Sequence, residues 1–155
     1  SFHWAIEQSN ETNQPFAILY FDLNRFKVVN DTLGHEVGDE LLKYVAARVA
    51  STLRKPDILA RLGGDEFGLL LHNCDEGGVD LVVGRMLENV LRPFKVGENT
   101  LIADLSIGAA YFPQNGKNLT ELLRHADSAM YRAKQNGGGL YLPSIKLDSV
   151  ANLEM

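Results

Sequence analysis

Residues 16–23, "FAILYFDL", set the strongest limit on what this chain can fold into. Apolar side chains occupy both alternating faces of this β-rich segment, which predicts a central strand rather than one with a solvated face. Asp22 falls at the C-terminal end of that strand. An ionised carboxylate there is costly unless a cation or hydrogen bonds compensate it, so Asp22 is either a cap or turn residue or a ligand.

Helical periodicity recurs in four other segments. It predicts helices from Phe2 to about Asn10, at about 36–53, at about 77–92 and at about 118–136. The segment "NRFKVVNDTLGHEVGD", between the first strand and the second helix, is rich in turn-forming residues. We therefore expect a turn region there rather than regular structure.

Short connections between strands decide the kind of sheet. Residues 57–73, "DILARLGGDEFGLLLHN", are two apolar runs joined by glycines, which predicts a β-hairpin. A second hairpin candidate runs from Phe94 through Gly97 to Pro113, and "LYLP" at 140–143 is a short strand candidate. Because hairpins force antiparallel neighbours, the sequence predicts an α/β domain of the α+β type, with a mixed, mostly antiparallel sheet flanked by helices.

Composition narrows the possible partners. The 155 residues, 45% of them hydrophobic, fit one domain spanning 1–155, and we expect this domain to be part of a longer multidomain protein. The net charge of -5 argues against binding to duplex nucleic acid or to an anionic membrane.

The single cysteine, Cys74, suits a reducing compartment and is expected to be a small buried thiol. No segment approaches the roughly 20 apolar residues of a membrane span, so we expect a cytosolic domain, although the full-length protein could be membrane-anchored.

The hairpin carries two adjacent acids on its bend. Asp65 and Glu66 are ordinary turn residues when taken alone. Together with Asp22 they could converge on one hard divalent cation. Gly63 and Gly64 would then let backbone amides approach an anionic ligand without a Cβ in the way.

Three ordered blocks make the sequence more specific. "RLGGDEF" at 61–67 resembles the signature of the GGDEF family, the diguanylate cyclases, and "FDLNRFKVVNDTLGHEVGDELL" at 21–42 is similar to the family's upstream block. "ADSAMYRAKQNG" at 126–137 is similar to its closing helix. The resemblance implies the ferredoxin-like, palm-type fold of nucleotide cyclases and polymerases. It also implies a homodimer that condenses two GTP molecules into cyclic di-GMP with release of two pyrophosphates.

The resemblance also implies roles for individual residues. Up to two Mg²⁺ or Mn²⁺ ions per active site would be held by Asp22, the backbone carbonyl of Leu23, and Asp65. Glu66 would assist deprotonation of the attacking 3′-hydroxyl, although a metal-ligand role is nearly as plausible. Asn30 and Asp39 would recognise the guanine of the substrate. Its phosphates would be bound by Lys27, Phe26 and Lys134, and by the backbone of Gly63 and Gly64. Without the surrounding block, Asn30 and Asp39 would be read as turn and helix-start residues, and Lys134 as a cation near a helix C-terminus.

A regulatory site is the last implication. "RKPD" at 54–57 is similar to the family's inhibitory RxxD motif, so Arg54 and Asp57, with Arg85 on the next helix, would bind cyclic di-GMP. The alternative is an exposed loop with one local ion pair. Two departures from the family pattern are Asn24 in place of a frequent second acid and Gly138 in place of a phosphate-binding arginine, and no "LTGLPNR"-like block precedes the first strand.

Two other functions remain open at this point. The chain could be a non-turnover module that binds GTP or cyclic di-GMP and regulates an attached phosphodiesterase or partner, which Gly138 favours. It could also be a metal-dependent phosphoryl-transfer domain for another nucleotide, if the resemblance is accidental.

Overall fold

Strands and helices alternate along the chain. The computed structural model describes Glu7, residues 14–136 and residues 139–140. Within these ranges the elements are β1 (Phe16–Leu23), α1 (Phe26–Leu33), α2 (His35–Ala50), β2 (Ile58–Gly63), β3 (Glu66–His72), α3 (Glu76–Val90), β4 (Phe94–Val96), β5 (Asn99–Leu101), β6 (Leu105–Phe112), α4 (Leu119–Gln135) and β7 (Gly139–Leu140).

β1 is the central strand of the main sheet. The strand order is β2-β3-β1-β6-β7, with β1 antiparallel to both β3 and β6. β2 pairs antiparallel with β3, and β7 pairs parallel with β6. The predicted mixed, mostly antiparallel sheet, its central strand and the hairpin at residues 57–73 are therefore confirmed.

Helices cover both faces of this sheet. Alternate residues of β1, among them Leu19 and Phe21, belong to the core cluster that includes Val45 of α2 and Val83 of α3. The other alternate residues, such as Ile18, belong to a second cluster under α4. A central strand that is apolar on both faces is buried here because both faces are covered.

α4 lies very close to the sheet at Gly108 of β6. A Cβ added at Gly108 would lie 2.1 Å from the Ala126 carbonyl oxygen and 2.3 Å from the Met130 amide nitrogen. Such distances are far below van der Waals contact, so only glycine lets the helix backbone approach this closely. This contact fixes the height of α4 above the end of β1.

Two predictions about local structure are wrong. The segment predicted to be a turn region contains the eight-residue helix α1, whose turn-forming residues had suggested irregular structure. The helix is amphipathic, and its residues Phe26 and Val29 pack against the core, so tertiary contact supports it where local signals were weak. The second hairpin is shorter than predicted: β4 and β5 form a separate two-stranded sheet, whereas β6 crosses to lie beside β1.

The other helices agree with prediction to within a few residues, although α2 ends at Ala50 rather than near 53. Asp75 caps α3 by accepting from the Gly78 amide at 2.8 Å, and Asn118 caps α4 by accepting from the Glu121 amide at 2.9 Å. Cys74 is a free, buried thiol, as expected. The predicted helix from Phe2 to about Asn10, apart from Glu7, and the strand candidate beyond Leu140 lie outside the described residues. Within the part of the chain that the structure describes, no helix combines the length and apolarity that crossing a bilayer requires.

Candidate active site

The acids of β1 and of the hairpin meet at one end of the sheet. Asp22 is the cross-strand partner of Glu66 on β3 and of Ser106 on β6. Directly opposed residues on neighbouring strands project to the same face, so the Asp22 and Glu66 side chains are neighbours. The Leu23 amide donates to the Asp65 carbonyl at 3.4 Å, which ties the hairpin bend to the end of β1. The bend and the end of β1 are thus adjacent, whereas the predicted convergence of the three acids on a cation stays a prediction.

The bend itself depends on its two glycines. Gly63 has φ 155° and Gly64 has φ 48°, conformations that residues with a Cβ rarely adopt. The register of β2 against β3 shifts between Arg61 and Gly63. Arg61 Nε donates to the Gly64 carbonyl at 2.9 Å across the bend. The glycines make the turn possible, and Arg61 stabilises it.

Asp22 is a buried acid in an unfavourable environment. The residue is 3% exposed. Burial is the main cause that raises the pKa of the Asp22 carboxyl, and the nearby charges of Asp65 and Glu66 raise it further, while Lys134 acts in the opposite direction. Asp22 Oδ1 is buried without a hydrogen-bond partner. The carboxylate therefore has capacity for a further cation or donor.

Lys134, in the last turn of α4, supplies one counter-charge. Its Nζ forms an ion pair with Asp22 Oδ2. Burial opposes the charged ammonium, but the hydrogen bond and the negative charge of Asp22 outweigh it, so the pKa of Lys134 is raised. The Lys134 side chain is 39% exposed, so it can also reach a ligand from solvent. Sequence analysis named both residues but could not pair them.

The donors at this edge fit a hard divalent cation. Mg²⁺ and Mn²⁺ prefer oxygen ligands, and the edge offers the unpartnered Asp22 Oδ1, the Asp65 carboxylate and backbone carbonyls beside them. Among the described residues, no three acidic, histidine or cysteine side chains form a preassembled metal-binding group. Metal binding at this edge would therefore need ligands from more than the protein's side chains, such as backbone and phosphate oxygens.

Asn24 lies in a hydrogen-bond network just beyond the end of β1. Its Nδ2 donates to Asp104 Oδ2 at 3.0 Å, and its Oδ1 accepts from Ser106 Oγ at 2.8 Å. The backbone amide of Asn24 also donates to the backbone carbonyl of Asp104 at 2.8 Å. A carboxylate thus stands next to position 24 although position 24 itself is an amide. Nothing in the sequence pattern pointed to Asp104, because the contact joins segments far apart in the chain.

The two predicted guanine-binding residues lie on the packed pair α1 and α2. Asn30 Oδ1 is buried without a hydrogen-bond partner, and a Cβ added at Gly38 would lie 1.9 Å from it. Asp39, next to Gly38, is exposed and lines a cleft of about 480 Å³ between α2 and the hairpin. Arg61 and Phe67 line the same cleft. The unpartnered amide oxygen thus lies next to Gly38, and the exposed carboxylate of the following residue faces the cleft beside the hairpin.

Two predicted substrate-binding residues lie on the first turn of α1. Lys27 is exposed, whereas Phe26 is half-buried and packs against the core. The first amides of a helix have no partner within the helix and favour anions. Of this pair, Lys27 has the side chain available to a phosphate, and Phe26 can offer its backbone.

The predicted inhibitory residues share a second cleft away from the acidic edge. Arg54, Asp57 and Arg85 all line this cleft of about 300 Å³. Arg54 Nη2 donates to the His72 carbonyl at 2.9 Å, and its Nε lies 3.8 Å from Asp57 Oδ2. Asp57 Oδ1 accepts from the His72 amide at 3.0 Å. The Arg54 side chain is 66% exposed, whereas that of Asp57 is 2% exposed, so of the two only Arg54 is largely open to solvent.

The chain also matches a known protein family over most of its length. A family model described as "Diguanylate cyclase, GGDEF domain" matches residues 1–139. The chain belongs to the GGDEF domain family. The predicted family and the palm-type fold are therefore confirmed.

Curated relatives of this GGDEF domain have names that describe different activities. It is 42% identical to the signaling protein YkoW of Bacillus subtilis over 126 residues, 80% of the chain and 16% of that relative. It is 39% identical to the cyclic di-GMP phosphodiesterase PdeR of Escherichia coli over 83% of the chain and 20% of that relative. It is 37% identical to the diguanylate cyclase TpbB of Pseudomonas aeruginosa over 87% of the chain and 32% of that relative. The chain thus spans no more than about a third of the length of these three proteins.

Solved structures place the GGDEF domain in the same fold. The GGDEF domain of TpbB from Pseudomonas aeruginosa superposes with a TM-score of 0.85 at 34% identity, covering 99% of this chain and 90% of that one. The active GGEEF domain of a diguanylate cyclase from Vibrio cholerae superposes with a TM-score of 0.83 at 25% identity, covering 94% and 93% of the two chains.

Three residues at the acidic edge were absent from the sequence prediction. Tyr20, whose hydroxyl donates to the Glu66 carboxylate, could have been found, since strand alternation places it on the same face of β1 as Asp22. Asp104 and Arg61 act through tertiary or turn contacts that the sequence does not reveal. Gly138, the departure in the closing block, lies outside the described residues.

Proposed function

We propose that this GGDEF domain is an active diguanylate cyclase. The observation that carries the proposal is the buried Asp22, paired with Lys134 and directly opposite Glu66 at the edge where the hairpin bend is attached. A costly buried acid with an unpartnered oxygen is typical of a functional site rather than of a stabilising contact. The relatives named diguanylate cyclases support this assignment.

The reaction joins two GTP molecules. The 3′-oxygen of each GTP forms a bond to the α-phosphorus of the other, and the bond from that phosphorus to the pyrophosphate oxygen breaks. Each 3′-hydroxyl loses its proton, and two pyrophosphates leave. Glu66, beside Asp22 at the sheet edge, is the proposed acceptor of that proton.

Asp22, the carbonyl of Leu23, and Asp65 would hold one or two Mg²⁺ or Mn²⁺ ions. When bound, such ions neutralise phosphate charge and lower the barrier to forming the alkoxide. Lys134, already aligned with Asp22 and partly exposed, would contact a terminal phosphate as a point charge. Lys27 and the backbone of Phe26, Gly63 and Gly64 would complete the phosphate contacts.

Asn30 and Asp39 are proposed to recognise guanine. The base edge presents an O6 acceptor together with N1 and N2 donors, so an amide and a carboxylate match it. The unpartnered Asn30 Oδ1 beside Gly38, and the exposed Asp39 that lines the cleft next to the hairpin, support this role.

Each subunit would present one GTP, so turnover would require a homodimer in which two acidic edges face each other. An attached sensor or phosphodiesterase domain in the longer protein could set the dimer geometry. Rate per subunit should then rise with protein concentration until dimers saturate.

Product inhibition is proposed for the second cleft. Arg54, with its exposed guanidinium, and Arg85 of α3 in the same cleft would hold a phosphate or guanine of cyclic di-GMP, and Asp57 would fix Arg54.

The deciding experiment is incubation of the purified domain with GTP and Mg²⁺ or Mn²⁺, with product identified by chromatography and mass. A form extended by its native upstream region is tested in parallel, at concentrations that permit dimers. Cyclic di-GMP and pyrophosphate in a 1:2 ratio are expected. Absence of cyclic di-GMP from both forms would reject the proposal.

A second candidate is a binding module without turnover that regulates an attached phosphodiesterase. The observation that favours it is the second cleft, whose residues are independent of the acidic edge. The chain also matches a cyclic di-GMP phosphodiesterase, of which it covers only 20%. Calorimetry separates the two: this candidate requires saturable binding of GTP or cyclic di-GMP with no product formed.

A further inference from the structure

Tyr20 lies on the same face of the sheet as the proposed catalytic acids. Residues two apart on a strand project to one side, so Tyr20 and Asp22 both face α4. The cross-strand partners of Tyr20 are Gly68 on β3 and Gly108 on β6. The α4 backbone fills the space over Gly108, whereas Gly68 carries no side chain, so the Tyr20 ring can lean along the sheet toward Glu66, the next residue on this face of β3.

The Tyr20 hydroxyl reaches the carboxylate of Glu66. Tyr20 Oη donates a hydrogen bond to Glu66 Oε2. A tyrosine phenol is neutral near neutral pH, so it can donate this hydrogen bond to the carboxylate.

This hydrogen bond occupies one oxygen of Glu66. A free glutamate side chain samples several rotamers, and a fixed donor selects those in which Oε2 points to the phenol. Oε1 is then the oxygen left for another partner. An acid that takes a proton or holds a ligand needs such a fixed orientation, because small displacements of a reacting group are costly in rate.

We infer that Tyr20 is a positioning residue for the cyclase reaction, which acts by holding Glu66 in one orientation at the sheet edge. The inference rests on the proposed function. The Tyr20 ring packs against the apolar cluster beneath α4, and phenylalanine would keep that packing. The hydroxyl therefore has a separable role, which a single oxygen deletion can expose.

The test is Tyr20→Phe measured against Tyr44→Phe. Tyr44 Oη donates to the Arg92 carbonyl at 2.7 Å, so its substitution also removes one phenol hydrogen bond, but outside the acidic edge. Tyr20→Phe is expected to lower kcat roughly tenfold while KM for GTP stays within about twofold, because the interaction acts on the reacting group rather than on binding. Tyr44→Phe should leave both constants close to those of the wild type. Circular dichroism and thermal melting check that all variants fold.

A second background makes the test specific for Glu66. Glu66→Asp keeps the carboxylate but shortens it by one methylene, which withdraws it from the Tyr20 hydroxyl. Adding Tyr20→Phe to Glu66→Asp should change the remaining turnover rate of that variant by less than about twofold. The hydrogen bond between the phenol and the carboxylate is already lost in the Glu66→Asp background.

The outcomes separate the two proposals. A wild type that makes no cyclic di-GMP overturns the proposed function and, with it, this role. An active wild type with an unchanged kcat in Tyr20→Phe overturns the positioning role alone. The positioning role is likewise overturned if only KM changes, or if the full loss persists in the Glu66→Asp background.

Discussion

Asn24 donates a hydrogen bond to Asp104 across the end of the sheet, with 3.0 Å between Nδ2 and Oδ2. The resemblance to the family leads us to expect an acid at position 24, and Asp104, the residue just before β6, brings a carboxylate to the same place. The amide and the acid form a matched donor and acceptor beside the proposed phosphate-binding turn. The negative charge that position 24 lacks is thus present on its partner.

Exchanging the two residues tests this pairing. Asn24→Asp alone places two carboxylates in contact and should lower the free energy of unfolding by about 1–3 kcal/mol, the usual cost of an unmade partly buried hydrogen bond to a charge. The double variant Asn24→Asp/Asp104→Asn restores a donor and an acceptor. It should return to within about 0.5 kcal/mol of the wild type in urea unfolding. Additive losses in the double variant would show that the two side chains are not coupled.

Replacing Asp22 should separate activity from stability. Asp22→Asn should reduce cyclase activity at least 100-fold, an order of magnitude typical of removing a metal ligand. The same variant, free of metal, should be as stable as the wild type or more stable at pH 7, because an amide avoids the cost of a buried charge.

The pH dependence of stability shows whether the Asp22 carboxylate stabilises or destabilises the folded state. Because burial raises the pKa of Asp22 in the folded protein, the folded state holds a proton that the unfolded state has released, so stability falls as pH rises through this range. The difference in melting temperature between Asp22→Asn and the wild type should therefore grow from near pH 4 until the pH passes the raised pKa of the folded state, and then level off. A difference that shrinks with rising pH would contradict the assignment of Asp22 as a destabilising buried acid.

The two residues of the RxxD motif should behave differently when removed. Arg54→Ala should weaken inhibition by cyclic di-GMP roughly tenfold or more, the scale of a bidentate charged contact, with little change in melting temperature. Asp57→Ala should also lower stability, by about 1–3 kcal/mol, because the His72 amide loses its buried acceptor. Arg124→Ala, an exposed arginine on α4, is the control and should leave inhibition unchanged. Equal inhibition in Arg54→Ala and the control would reject the inhibitory assignment.

Gly108→Ala should damage the site through the position of α4. The added Cβ meets backbone atoms of the helix at 2.1 and 2.3 Å, so α4 must move away from the sheet and carry Lys134 from Asp22. We expect a loss of about 1–3 kcal/mol in stability from overpacking, together with a raised KM for GTP. Gly84→Ala on α3 meets nothing within 4 Å and should gain about 0.5–1 kcal/mol from helix propensity. Comparable stability of the two variants in denaturant titrations would contradict the close packing.

Local chemistry accounts for what the sequence predicted well. β1 is apolar on both faces over eight residues, and such a pattern has few other solutions than a central strand. The hairpin followed from two apolar runs joined by glycines, and α2 and α4 followed from periods long enough to outweigh their turn-forming neighbours. α1 was missed because eight residues, several of them turn formers, give too short a period to compete.

The sequence by itself determined the family, the central strand, the glycine-dependent bend and which acids stand at strand ends, since each depends on residues close together in the chain. Only the tertiary structure decided that Lys134 pairs with Asp22, that Asp104 joins Asn24, and that Tyr20 reaches Glu66. Those contacts depend on strand order, register and the height of α4 above Gly108, which are fixed by packing between segments distant in sequence.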